Sequence, residues 1–142
     1  MRQAVIDASV ALKWYLDDEE NSLKAMSLLE RYVSDDLDII APSLLEYEVI
    51  NGLIIAQKRG RVDNKKVITA VDGFMNLEIK LKSLSGLYSK VLRFCNVYKC
   101  SAYDAAYLAV ADNENMPMVT ADERLYNMVK KDMKRVKWIG DI

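Results

Sequence analysis

Histidine does not occur among the 142 residues. Its absence removes Ser-His-Asp triads, Cys-His dyads, the usual zinc sites and histidine acid–base pairs. What remains is chemistry carried by carboxylate, lysine, tyrosine or cysteine. Cysteine is scarce as well: Cys95 and Cys100 make a poor metal pair without histidines. They read as inert thiols in a reducing compartment rather than as a disulfide scaffold, since reactive thiols need an electropositive, accessible setting. No apolar run approaches the roughly 20 residues of a membrane span, and Asp7 stands where a signal peptide would carry its apolar centre. The expectation is a cytoplasmic protein with no membrane partner. A dominant sign of charge is also missing. With 20 Lys and Arg against 21 Asp and Glu, the net charge of -1 neither predicts nor excludes a polyanionic partner.

A hydrophobic fraction of 51% with 29% charged residues is that of an ordinary globular chain. The length fits one domain, 1–142, that can bury a core without disulfides or structural metal. Residues 3–6 form a short apolar opening, as a strand buried on both faces would read, and it ends on Asp7. Helical spacing follows over 10–16 and 19–33, then a strand over 38–41. Pro42 is placed to open a helix over 43–58, which Gly60 closes. A helix over 63–75 precedes residues 77–81, whose period-two alternation predicts a half-buried strand near an edge. Helices over 86–98, from Ser101 onward, and over 123–131 alternate with short strands at 118–119 and 136–139. Five short strands alternating with helices predict an α/β fold with right-handed crossovers and a parallel sheet covered on both faces. Ligands of such sheets sit beyond the carboxyl ends of strands, where the strand order reverses. Asp7 and Asp122 both fall at carboxyl ends.

Each acid also has a plain structural explanation. Asp7 can cap the helix that follows it, although Ser9 looks the better cap and would leave Asp7 freer. Ser101-x-x-Asp104 matches a capping box. Against that, four alanines after Asp104 let its helix approach the sheet closely, and a buried Asp104 would need a cation or donors. Glu48 and Asn51 share one side of a helix that is otherwise largely apolar, whereas Glu46 reads as a surface acid. Asp122 follows Thr120 at a strand end and can cap the helix over 123–131.

The combination is more specific than any one acid. V-I-D-A-S near the start, P-S-L-L-E-Y-E-V-I-N-G-L in the middle, S-A-Y-D-A-A-Y-L-A-V-A later and V-T-A-D near the end span essentially the whole chain. In order and spacing they resemble the PIN domain, in particular the VapC type of ribonuclease toxin. The resemblance implies a PIN-like three-layer sandwich with a five-stranded parallel sheet between helices. It implies a Mg2+- or Mn2+-dependent endoribonuclease whose acids fall on Asp7, Glu48, Asp104 and Asp122, accompanied by Asn51 and Thr120. It implies, too, a small antitoxin partner and a homodimer. Oxygen-only donors agree with a hard cation, and converging carboxylates would repel one another without one.

Other readings stay open. The chain could be a PIN nuclease of RNA processing without an antitoxin, or a non-catalytic interaction module of the same fold. It could also be a phosphoryl-transfer protein in which Asp7 accepts phosphate. For RNA binding, Lys58, Arg59 and Arg61 form one basic cluster, and Lys130, Lys131, Lys134, Arg135 and Lys137 a second. Tyr15, Tyr47, Tyr103 and Tyr107 are candidates for stacking on bases or for packing.

Overall fold

A computed structural model describes all 142 residues. The five strands are β1 (Gln3–Ile6), β2 (Asp38–Pro42), β3 (Lys80–Lys82), β4 (Met118–Thr120) and β5 (Val136–Trp138). They form one parallel sheet in the order β3-β2-β1-β4-β5. The helices are α1 (Ala8–Ala11), α2 (Ser22–Val33), α3 (Leu45–Lys58), α4 (Asn64–Asn76), α5 (Tyr88–Tyr98), α6 (Ala102–Glu114) and α7 (Glu123–Val129). The chain steps from β1 to β2 to β3 in one direction, then crosses back to β4. With right-handed crossovers, that reversal sends α5 and α6 over the face opposite the earlier helices. The joint between β1 and β4 is therefore the switch point of the sheet.

The central strands are apolar without alternation because both their faces are covered: Ala4, Val5 and Ile6 are fully buried, as are Met118, Val119 and Thr120. At the edge, β3 alternates and is only half-buried, as its period predicted. It forms three residues later than the alternation begins, because Leu77 closes α4 and Glu78 turns in the left-handed region at φ 53°. Several helix starts also differ from the sequence reading, α5 beginning at Tyr88 rather than 86. Asn21 at φ 63° delays α2 to Ser22. The first helix begins at Ala8 and tightens to a 3-10 turn over Leu12–Trp14. Pro42 ends β2 instead of opening α3. Gly60, at φ 74°, lies just beyond α3 as expected.

The helix that carries Asp104 is the most confined. Every residue of α6 from Ala105 to Ala111 is buried, between the sheet strands β1, β2 and β4 on one side and α5 on the other. Alanine at 105, 106, 109 and 111 makes that double contact sterically possible. Arg135 secures the far end of the helix, donating to the carbonyls of Ala111 (3.2 Å) and Met116 (3.1 Å). We expect Ala109→Leu to overpack this layer and lower stability by about 1–3 kcal/mol, read as an earlier urea midpoint at unchanged m-value.

Candidate active site

The carboxyl ends of β1 and β4 bring the first acids together. Register sets Ile6 beside Val119, so the next residues, Asp7 and Thr120, also meet. Thr120 donates its hydroxyl to Oδ2 of Asp7 (2.5 Å). Ser9 donates to Oδ1 (2.5 Å), and the Val10 amide adds a longer bond to the same oxygen (3.3 Å). Asp7 is thus the cap of α1, and Ser9, the expected cap, instead locks the carboxylate in place. The same two hydroxyls order the other strand: Ser9 accepts from the Ala121 amide (2.9 Å) and Thr120 from the Asp122 amide (3.1 Å). Asp122 in turn caps α7, accepting from the Leu125 amide (3.1 Å). Capping and site placement coincide at both residues.

Glu48 and Asp104 reach this end of the sheet from helices. Asp104 lies in the first turn of α6, where its amide donates to the Ser101 hydroxyl (3.1 Å). Glu48, in the first turn of α3, accepts from the Tyr107 hydroxyl (2.6 Å), one turn beyond Asp104 on α6. Tyr107 is 1% exposed. Sequence reasoning offered it for stacking or for packing and missed its tie to Glu48, which joins positions 59 residues apart and leaves no local pattern.

The electrostatics join all four acids. Burial pushes the Asp7 carboxyl from 3.8 up to about 6, the Ser9, Thr120 and Val10 bonds oppose the rise, and the Asp122 charge adds to it. Burial also raises Asp104, with Asp122 adding, while Ser101 and Arg124 hold it back. Glu48 is raised by burial, lowered by Tyr107 and raised again by Asp104. Every ion pair of the chain lies elsewhere. Arg124, in the first turn of α7, is the one basic group felt at this end, and the sequence reading did not single it out.

No three acidic or cysteine side chains come together closely enough to clasp one ion. Caps and hydroxyls hold the carboxylates in separate anchorages. The donor set nevertheless suits Mg2+ or Mn2+: it is all oxygen, mutually repulsive and unpaired, and magnesium takes only one or two carboxylates with water completing its shell.

The surroundings are sorted by the same criteria. Arg61 is engaged by Asp18 (2.7 Å) and Glu19 (3.1 Å), and Arg135 by its carbonyls, so both drop out of the basic clusters as free phosphate ligands. Lys58, Arg59, Lys130, Lys131, Lys134 and Lys137 stay exposed. Tyr15 packs edge-on to Trp14, whereas Tyr47 and Tyr103 are 78% and 65% exposed. Asn51 is exposed on the side of α3 that Glu48 shares, and both line a cleft of about 500 Å3. Cys95 and Cys100 are free thiols, and burial pushes Cys100 up to about 11, away from reactivity.

Comparison with known proteins gives concordant matches. A family model described as the PIN domain matches residues 4–131. The VapC ribonuclease Mb0985 of Mycobacterium bovis is 30% identical over 122 residues, 85% of this chain and 87% of the relative. Ribonuclease VapC9 of Mycobacterium tuberculosis matches with the same identity and coverage. Among solved structures, PAE2754 from Pyrobaculum aerophilum superposes with a TM-score of 0.73 at 20% identity, covering 99% of this chain and 85% of that one. VapC20 of Mycobacterium tuberculosis, described as a sarcin-ricin loop cleaving toxin, gives 0.63 at 11% identity, covering 87% and 93%. These two likenesses speak for the fold.

Two outcomes follow from the site as drawn. Because the folded pKa of Asp7 lies above its unfolded value, the protonated form favours folding. That contribution is complete below about pH 4 and is lost as pH rises through about 6. With chelator present, Asp7→Asn should therefore be more stable than wild type at pH 8 by about 1–3 kcal/mol, and thermal melts should show the gap closing toward pH 4. Tyr107→Phe removes the donor to Glu48 and should lower stability by about 1–3 kcal/mol in urea unfolding.

Proposed function

The chain belongs to the PIN-domain family, with VapC ribonucleases among its relatives, and from that premise we propose that it is a Mg2+- or Mn2+-dependent endoribonuclease, the toxin of a VapBC-type pair. The observation that carries the reading is the set of four carboxylates at the switch point of the sheet, none ion-paired and three of them held above their ordinary pKa. Such an arrangement is costly unless a cation neutralises it.

In this reading Asp7 and Asp104 are the principal metal ligands, and Asp122 and Glu48 add direct or water-mediated ligation. When bound, the ion supplies Lewis acidity toward a phosphoryl oxygen and toward water. The chain's own residues do the positioning. Ser9 and Thr120 fix the Asp7 carboxylate from both sides, and the Leu125 amide steadies Asp122. Glu48, oriented by Tyr107 and raised in pKa, is suited to take the proton of the attacking water. The water oxygen joins phosphorus as one ester P–O bond breaks, and the leaving oxygen takes up a proton. Asn51 and Thr120 are supporting polar groups. The exposed lysines and Arg124 offer the substrate its phosphate contacts.

The same reading takes residues 1–142 as one PIN domain acting in the cytoplasm, a setting in keeping with two free thiols. No helix is long and apolar enough to cross a membrane. A small antitoxin and a second copy of the chain are the proposed partners. Exposed apolar side chains such as Ile54, Ile55 and Leu92 offer helical surface to them. One observation favours a non-catalytic module instead: Asp7 and Asp122 both cap helices, and no three acids clasp an ion.

Cation binding and cleavage separate the two. Mn2+ should raise the melting temperature of the wild type and not that of Asp7→Asn. RNA hydrolysis should require Mg2+ or Mn2+, stop with chelator, and fall roughly 10^2- to 10^4-fold in Asp104→Asn while that variant still folds and binds RNA. Absence of both Mn2+ binding and cleavage would leave Asp7 and Asp122 as helix caps only and overturn the nuclease reading.

A further inference from the structure

Of the residues lining the cleft beside Glu48, only Glu48 and Asn51 have a role in that reading. Its floor is apolar and tightly made. Gly52 on α3 passes so close to Leu12 that a Cβ there would stand 2.5 Å from Leu12 Cδ1. Its rim carries Tyr47, from the first turn of α3, and Tyr103, from the first turn of α6. Both rings are mostly exposed, at 78% and 65%; among the other aromatic side chains only Tyr88 stands as far into solvent, and it does not line this cleft. Packing therefore does not account for them. The polar side of the cleft is Glu48 with Asn51, one turn apart.

We propose that this cleft is a nucleobase subsite that receives the unpaired base next to the phosphodiester being cut. The inference rests on the ribonuclease reading and names how that site would hold its substrate. A base is flat, uncharged and π-faced, with hydrogen-bonding edges, and each property has a counterpart here. Tyr47 and Tyr103 present aromatic rings for stacking, which is tolerant of base identity. Leu12 and Gly52 give an apolar floor. The Asn51 amide carries a donor and an acceptor for a base edge. No lysine or arginine lines the cleft, so its contents are chosen for something other than phosphate. Continuity decides the occupant: Glu48 is a wall of the cleft and a member of the acid set, so a backbone phosphate held by the acids carries its neighbouring base to this rim. A base can enter only when it has left its own stack, which ties the enzyme to single strands, loops or bulges.

The test uses the full chain with Mg2+ and a pool of random-sequence single-stranded RNA, comparing wild type with Tyr47→Ala, Tyr103→Ala and the corresponding Phe variants. Both positions are exposed, so melting temperatures should stay at the wild-type value. Loss of a stacking ring should raise KM roughly tenfold or more, with kcat changed little, and Phe should restore wild-type KM because the ring is kept. A duplex of the same RNA should be cut far more slowly. If the wild type cuts and both Ala variants keep its KM, the subsite is overturned while the ribonuclease reading stands. Phe variants as impaired as Ala, or loss of a peptide partner without any change in RNA kinetics, would also overturn it. If the wild type cuts no RNA, the ribonuclease reading fails and the subsite with it.

Discussion

The bond between Thr120 and Asp7 spans the joint at which the sheet changes direction, and most of the site depends on it. Strand register alone would bring the two residues near each other. The hydroxyl fixes which way the carboxylate faces, and Ser9 completes the hold from the other side. Because Ser9 also accepts from the Ala121 amide, a shift of β4 relative to β1 would break that contact together with the bond between Thr120 and Asp7. Position along the strand and orientation of the acids are thus one constraint. A buried carboxylate tolerates this only because three donors surround it, and even so its proton affinity stays high.

Capping and function are commonly treated as rival explanations of an acid at a helix start. Here Asp7 and Asp122 cap helices, and the proposed metal site asks the same carboxylates for a second role. A cap uses one lone pair of one oxygen, leaving the rest of the carboxylate for other partners. The cap also gives something a ligand needs, a fixed rotamer. Asp104 follows a different scheme, with Ser101 as the cap and the carboxylate itself left in the first turn of α6.

Much of the fold was legible because the strands are short, apolar and separated by helices with clear spacing. The edge character of β3 followed from its alternation, and the end of α3 from Gly60. What escaped were boundaries set by single backbone conformations, such as the left-handed turns at Asn21 and Glu78. No periodicity encodes them. The neighbourhood of Asp7 and Thr120 was readable from motifs at two strand ends, but the roles of the hydroxyls were partly inverted, since Ser9 looked like the cap. The tie of Tyr107 to Glu48 and the presence of Arg124 near Asp104 depend on how helices from distant parts of the chain pack. The retirement of Arg61 and Arg135 from the basic clusters has the same origin, because charge in a sequence does not say which cations are already engaged.

An open sheet leaves two edges with unpaired backbone groups, and here they fall on β3 and β5. Each is three residues long, and each carries lysine: Lys80 and Lys82 on one, Lys137 on the other. Short, cationic edges repel a matching strand and offer it little ladder to join. Crowded copies of this chain are accordingly guarded against fusing their sheets into a continuous ribbon.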